Sequence, residues 1–180
     1  MSVGLNYNTY DELLELINQS GKNYDLKIIN KAYKIAYKAH YGQKRISGVD
    51  YILHPVSVAY ILVELGMDTP SVAAALLHDV VEDTEFTQKD IKEIFGEEIA
   101  VLVDGVTKLK KIPSSSREEQ QAENIRKMLL AMSHDIRVIM IKLADRLQNM
   151  RTIECMDIQK RRDKSLQNME VFAPIAHRLG

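Results

Sequence analysis

The sequence holds a single cysteine, Cys155. It cannot pair within its own chain, no CxxC is present, and no cysteine cluster could hold a structural zinc; a reducing, cytoplasmic setting therefore fits. Long apolar runs are missing as well. No window reaches 18 uninterrupted apolar residues, and the N-terminus lacks a basic stretch leading into an apolar one, so neither a membrane span nor an export signal is expected. Excess charge of one sign is also absent: 24 Lys+Arg stand against 25 Asp+Glu. Broad electrostatic binding to nucleic acid needs a basic excess or a basic face, so none is expected here. Glycine and proline are few, at 8 and 4 of 180 residues. No alternating strand pattern occurs, and the chain reads as all-α.

What is present is apolar residues at spacings of three and four. At this length a folded chain buries roughly 70% of the surface it exposes unfolded, enough for one domain without disulfides. Residues 26–40 place Ile29, Ala32, Tyr33, Ala36 and His40 on one stripe, and the polar 42–50 segment that follows is a loop with a Lys44-Arg45 pair. Pro55 marks a helix start just after His54, with the helix running over 56–65 to Gly66. Thr69-Pro70 repeats the signal before 72–81, which is apolar nearly all round apart from His78 and Asp79, as a central helix would be. Thr87 and Asp90 have capping-box spacing, leading to Phe95 and Gly96. Further helices are predicted over 99–109, from caps at Ser116 and Glu119 to about 133, over 136–153, and over 159–172 with Pro174 beyond the end. The 108–117 segment, KLKKIPSSSR, reads as a mobile basic loop.

Polar groups that interrupt apolar helices carry the chemistry. A buried charge costs several kcal/mol unless paired or bound to metal. His78-Asp79 and Asp145 are such interruptions; with His54 they make a set of two imidazoles and two carboxylates suited to Mn, Fe, Mg or Zn. Glu82 and Asp83 follow His78 and Asp79 by four residues each, one helical turn along, where they could orient or deprotonate an attacking water. Lys142, Asp145, Asn149 and Thr152 recur at steps of three and four and share a face.

These residues resemble the HD-type hydrolase domain of the RelA/SpoT homologues. The matching stretches are AHYGQKR (39–45), YILHP (51–55), AALLHDVVEDT (74–84), LVDGVTKL (102–109), QAENIRKMLLAMSHDIRVIMIKLADRLQNMRT (121–152) and APIAHRLG (173–180). HDVVEDT followed by KLADRLxNMRT is far more specific than a bare HD dipeptide. The resemblance implies an HD-domain helical bundle with a buried metal site that removes the 3'-pyrophosphate of ppGpp or pppGpp. By position, His54, His78, Asp79 and Asp145 match the manganese ligands, and Glu82-Asp83 match the acidic pair that supports attack by water. Arg45, Ser47, Asn149 and Thr152 match contacts to the guanosine, and Lys142 is added as a substrate contact on their face. Residues 1–180 are expected to be one domain, about 1–24 being an N-terminal extension. Bifunctional members continue past HRLG into a synthetase domain, so a synthetase in cis is the expected partner, and a stand-alone hydrolase the alternative.

Two positions depart from the family pattern. Ile46 stands where a second basic residue usually follows the arginine, and Gln148 stands in place of a histidine. Neither removes a metal ligand, so activity is expected with altered affinity or nucleotide preference. A different phosphate ester as substrate, or a regulatory domain that binds the alarmone without cleaving it, are the competing functions. The bland alternatives are a hydrogen-bonded pair for His78-Asp79 and an N-cap for His54. His40 is expected to be a satisfied core histidine or to support the metal site from behind its ligands, His134 and His177 to have structural or surface roles, and Lys160, Arg161, Arg162 and Lys164 to lie on a solvated face.

Overall fold

The three- and four-residue apolar spacing folds into helices throughout the computed structural model, which describes residues 7–110, 126 and 134–179. The helices are α1 (Tyr10–Gln19), α2 (Leu26–Ala39), α3 (Leu53–Glu64), α4 (Thr69–Leu77), α5 (Val80–Asp83), α6 (Gln88–Phe95), α7 (Glu97–Lys110), α8 (Ile136–Arg151), α9 (Ile158–Gln167) and α10 (Ala173–Leu179). Among the described residues there is no strand, and an isolated bridge between Lys44 and Asp50 closes the loop after α2. The predicted helix capped at Ser116 and Glu119, and the loop beyond Lys110, lie outside the described residues. Among those described, no helix is long and apolar enough to cross a membrane.

The centre is α4, whose residues from Ser71 to Leu77 are all buried. It packs against α2, α3, α7 and α8, and α3 in turn packs against α1 and α8. Leu13 and Ile17 of α1 belong to the same core as Ile29, Ala32 and Ala36 of α2. Capping is as the sequence suggested at α6, where Thr87 and Asp90 form a reciprocal box, and a second box joins Thr9 to Glu12 at α1.

Three boundaries differ from expectation, each at or near a proline or the HD pair. The third helix starts at Leu53, so His54 lies inside its first turn and is not its N-cap; Ile52 holds that place without a side-chain cap bond. The central helix breaks after Leu77, and His78-Asp79 form a turn before α5. The last predicted helix does not stop before Pro174. A five-residue π turn, Asn168–Phe172, shifts the bonding so that the Ala173 N–H reaches the Asn168 carbonyl. Pro174 then falls in the first turn of α10, where no intrahelical donor is required.

Two close contacts yield predictions for the scaffold. A Cβ at Gly105 of α7 would stand 2.8 and 3.0 Å from the two methyls of Val138 on α8. Gly105→Ala gains about 1 kcal/mol of helix propensity but overpacks a stiff β-branched neighbour at about 1–3 kcal/mol. A lower melting temperature is expected, with Val138→Ala in the same chain giving a strongly non-additive recovery.

Arg137 joins three elements: its guanidinium bonds Asp68 at the start of α4, Glu98 of α7 and Asp135, the N-cap of α8. Those hydrogen bonds hold Asp135 below the ordinary carboxylate range. At Asp68 burial works upward, but bonds from Ser71 and Arg137 outweigh it, and that carboxyl too is lowered. Their stabilising contribution is therefore present above the unfolded value of 3.8 and lost as pH falls through the lowered folded values. Thermal melts are expected to show less acid sensitivity below about pH 4 in Arg137→Met than in the parent.

Candidate functional site

Pro55 and the HD break are what bring the chemistry together. Pro55 needs no hydrogen bond in the first turn of α3, and His54 beside it donates its backbone N–H to Tyr51. His78 and Asp79 occupy the turn between α4 and α5, and Asp145 lies within α8. Since α3 and α4 both pack on α8, the three stretches converge in the interior.

His54 is 1% exposed, His78 2%, Asp79 5% and Asp145 6%. His54 Nε2 lies 3.2 Å from Asp145 Oδ1 and 3.9 Å from Asp79 Oδ2. His78 Nε2 lies 3.3 Å from Asp79 Oδ2 and 4.0 Å from Asp145 Oδ1. The His78 tautomer follows from its neighbours: Nδ1 donates to the Ala75 carbonyl at 2.7 Å, so Nε2 carries the lone pair. That nitrogen is buried without a hydrogen bond, an arrangement that fits a metal ligand better than a satisfied core histidine. His54, His78 and Asp145 each offer a ligand atom within 4.8 Å of the others, a set able to hold a divalent cation. Burial lowers the His54 imidazole's proton affinity, and this outweighs its bond to Asp145. A ring kept neutral in this way is the form that binds metal.

Lys142 is 2% exposed and donates to Asp145 Oδ2 at 2.9 Å. Burial would raise the Asp145 carboxyl, but the ammonium beside it prevails and holds it well below the usual range. Lys142 therefore sits behind the cluster as a counter-ion and does not line the neighbouring pocket.

That pocket has a volume of about 230 Å³, and its walls include Arg45, Ser47, Asn149 and Thr152, four of the five residues expected to contact substrate. It is smaller than sites that enclose a whole drug-sized ligand, roughly 300–1,000 Å³, so it accommodates part of one. Arg45 donates to Asn149 Oδ1 at 2.8 Å, and Asn149 Nδ2 donates to Asp145 Oδ1 at 2.6 Å. Asn149 thus joins pocket and cluster. Glu82 and Asp83 face a separate cleft of about 660 Å³, with Lys38 and Gln43 on its other wall.

Tyr51 stands between the two cavities and was not singled out from sequence. It lines the pocket, and its hydroxyl lies 2.8 Å from Asp79 Oδ2 and 3.0 Å from Asp83 Oδ2. Burial, followed by those carboxylates, raises its pKa and keeps the phenol protonated. Its place three residues before His54 was the available signal. His40 is buried, stacks on the same ring at 4.5 Å and bonds Gln43 through Nδ1, while its Nε2 is buried without a hydrogen bond, so it lies in the core without being fully satisfied there. His134 and His177 are exposed. Lys164, expected on a solvated face, instead lines the pocket.

Comparison with known proteins matches residues 32–180 to the HD domain family model. The chain is 49% identical over 172 residues to the bifunctional (p)ppGpp synthase/hydrolase SpoT of Escherichia coli, covering 93% of this chain and 24% of that protein. It is 50% identical over 167 residues to a GTP pyrophosphokinase of Myxococcus xanthus, covering 91% and 22%. The chain thus spans about a quarter of the length of these relatives. A solved structure described as a metazoan ortholog of SpoT that hydrolyzes ppGpp superposes with a TM-score of 0.68 at 30% identity, covering 83% of this chain and 86% of that one.

Proposed function

Since the chain belongs to the HD domain family, on its RelA/SpoT branch, we propose that it hydrolyses ppGpp or pppGpp to GDP or GTP and pyrophosphate with a bound manganese ion. The observation that carries this is the buried convergence of His54, His78 and Asp145 beside a pocket of nucleoside scale. His54, His78, Asp79 and Asp145 would hold the metal. Once bound, the ion supplies Lewis-acid charge that neutralises phosphate oxygens and acidifies water.

The chain's own residues do the remainder. Arg45, Ser47, Asn149 and Thr152 seat the guanosine, and the Asn149 link to Asp145 sets the 3' oxygen toward the cluster. Lys142 fixes Asp145 and acts on substrate only through it. Water attacks the phosphorus attached to the 3' oxygen, and Glu82 or Asp83 receives its proton. The bond from that phosphorus to the 3' oxygen breaks, the oxygen leaves as a hydroxyl after taking up a proton, and pyrophosphate departs carrying the water's oxygen. The 660 Å³ cleft at Glu82-Asp83 offers it an exit. The Tyr51 hydroxyl positions Asp83.

In the full protein the domain, residues 1–180 with about 1–24 as its N-terminal extension, would be followed in cis by a synthetase domain and act in the cytoplasm. Products are to be separated by anion exchange after metal-stripped protein is resupplied with Mn2+, Mg2+ or Zn2+ and mixed with ppGpp. GDP and pyrophosphate forming best with Mn2+ would support the proposal. Binding without cleavage under every metal would instead favour the regulatory domain, and cleavage of other nucleotides alone a different substrate.

A further inference from the structure

Three cations line the nucleoside pocket: Lys44, Arg45 and Lys164. Lys44 is exposed and paired with Asp50 at 2.5 Å. Arg45 is committed to Asn149 and lies over the Tyr51 ring. Lys164 differs from both. Among the described residues its side chain makes no hydrogen bond or ion pair, although those of its neighbours on α9 do: Lys160 pairs with Asp157, and Arg161 donates to the carbonyls of Glu154 and Met156.

Lys164 is only partly exposed, and the charges around it are mostly its own sign. Burial first, then Arg146, Arg45 and Lys142, draws its ammonium below the ordinary range against a partial pull from Asp145. A long side chain held unpaired in such surroundings lowers stability unless an anion completes it. Its place on the pocket wall makes an entering anion the available partner. With Asn149 tying one wall to Asp145, a nucleotide whose 3' substituent reaches the cluster projects its 5' substituent from the other side of the ribose. Ile46, which also lines the pocket, is apolar and brings no charge.

Building on the proposed hydrolase function, we infer that Lys164 receives the 5'-diphosphate of the guanosine nucleotide and is a specificity-determining residue of this pocket. It discriminates by phosphate at the 5' position and takes no part in the chemistry at 3'.

Titration calorimetry of the full chain with Mn2+ present tests this with two probes, GDP and guanosine. Lys164→Gln is expected to weaken GDP binding about tenfold, the scale of one charge-assisted hydrogen bond, and to leave guanosine binding unchanged. Lys164→Arg should retain GDP affinity within about threefold, since the positive charge and its donors remain. Unchanged GDP affinity in Lys164→Gln overturns the inference. So does equal weakening of both probes, which marks a structural role, or a parent protein that binds GDP no better than guanosine. Failure of the hydrolase function reads differently: the parent would discriminate GDP from guanosine through Lys164 and yet release no pyrophosphate from ppGpp.

Discussion

Asp79→Ala is expected to lower ppGpp turnover on the order of 10³-fold or more, equivalent to about 4 kcal/mol of barrier, with the fold retained. The size follows from the proposed site, in which Asp79 is one of two carboxylates that would balance the charge of a buried cation. Two observations favour retention of the fold. Asp79 heads α5 without a side-chain cap bond, and the Tyr51 hydroxyl that it accepts has a second acceptor in Asp83 at 3.0 Å. The check is steady-state hydrolysis with saturating Mn2+, alongside a circular-dichroism melt. Full turnover in a folded variant would remove Asp79 from the site.

Lys142→Met is expected to have the second-largest effect, and to have it on stability. The Lys142-Asp145 pair is buried on both sides, and removing one member of such a pair costs about 3–5 kcal/mol because the other charge is left uncompensated. A divalent cation at His54, His78 and Asp145 would provide compensation from the other face of the carboxylate. The melting temperature should therefore drop sharply in chelator and recover substantially with Mn2+, giving the variant a larger metal-induced shift than the parent. Equal shifts in both would show that Lys142 and the metal do not share Asp145.

The cluster was legible because His78, Asp79 and Asp145 interrupt helices that are otherwise apolar, and burial makes such interruptions expensive. Arg45, Ser47, Asn149 and Thr152 could be placed on one pocket through motif resemblance, and the structure sets all four on its wall. Lys142 shows where periodicity stops: it correctly put the residue on the face of Asp145, but a face does not say whether an ammonium points to ligand or to carboxylate. Tyr51 was hidden by an ordinary role, since a tyrosine near a helix start reads as packing until its hydroxyl is seen between two aspartates. Lys164 was grouped with its basic neighbours because composition does not separate one side of a polar helix from another. The π turn at Asn168–Phe172 has no local signal; it lies just before Pro174, whose ring cannot donate to a regular helix.

The convergence of α3, α4 and α8 has a kinetic side. Asp145 comes from a stretch far along the chain from His54 and His78, so its meeting with them closes a long loop and is not among the early, local contacts of folding. Helices α3 and α4, adjacent in sequence, can pair first; the arrival of α8 then completes the donor set. A divalent ion bound there would act as a clasp between the early-formed pair and α8, resisting the separation of elements that meet last.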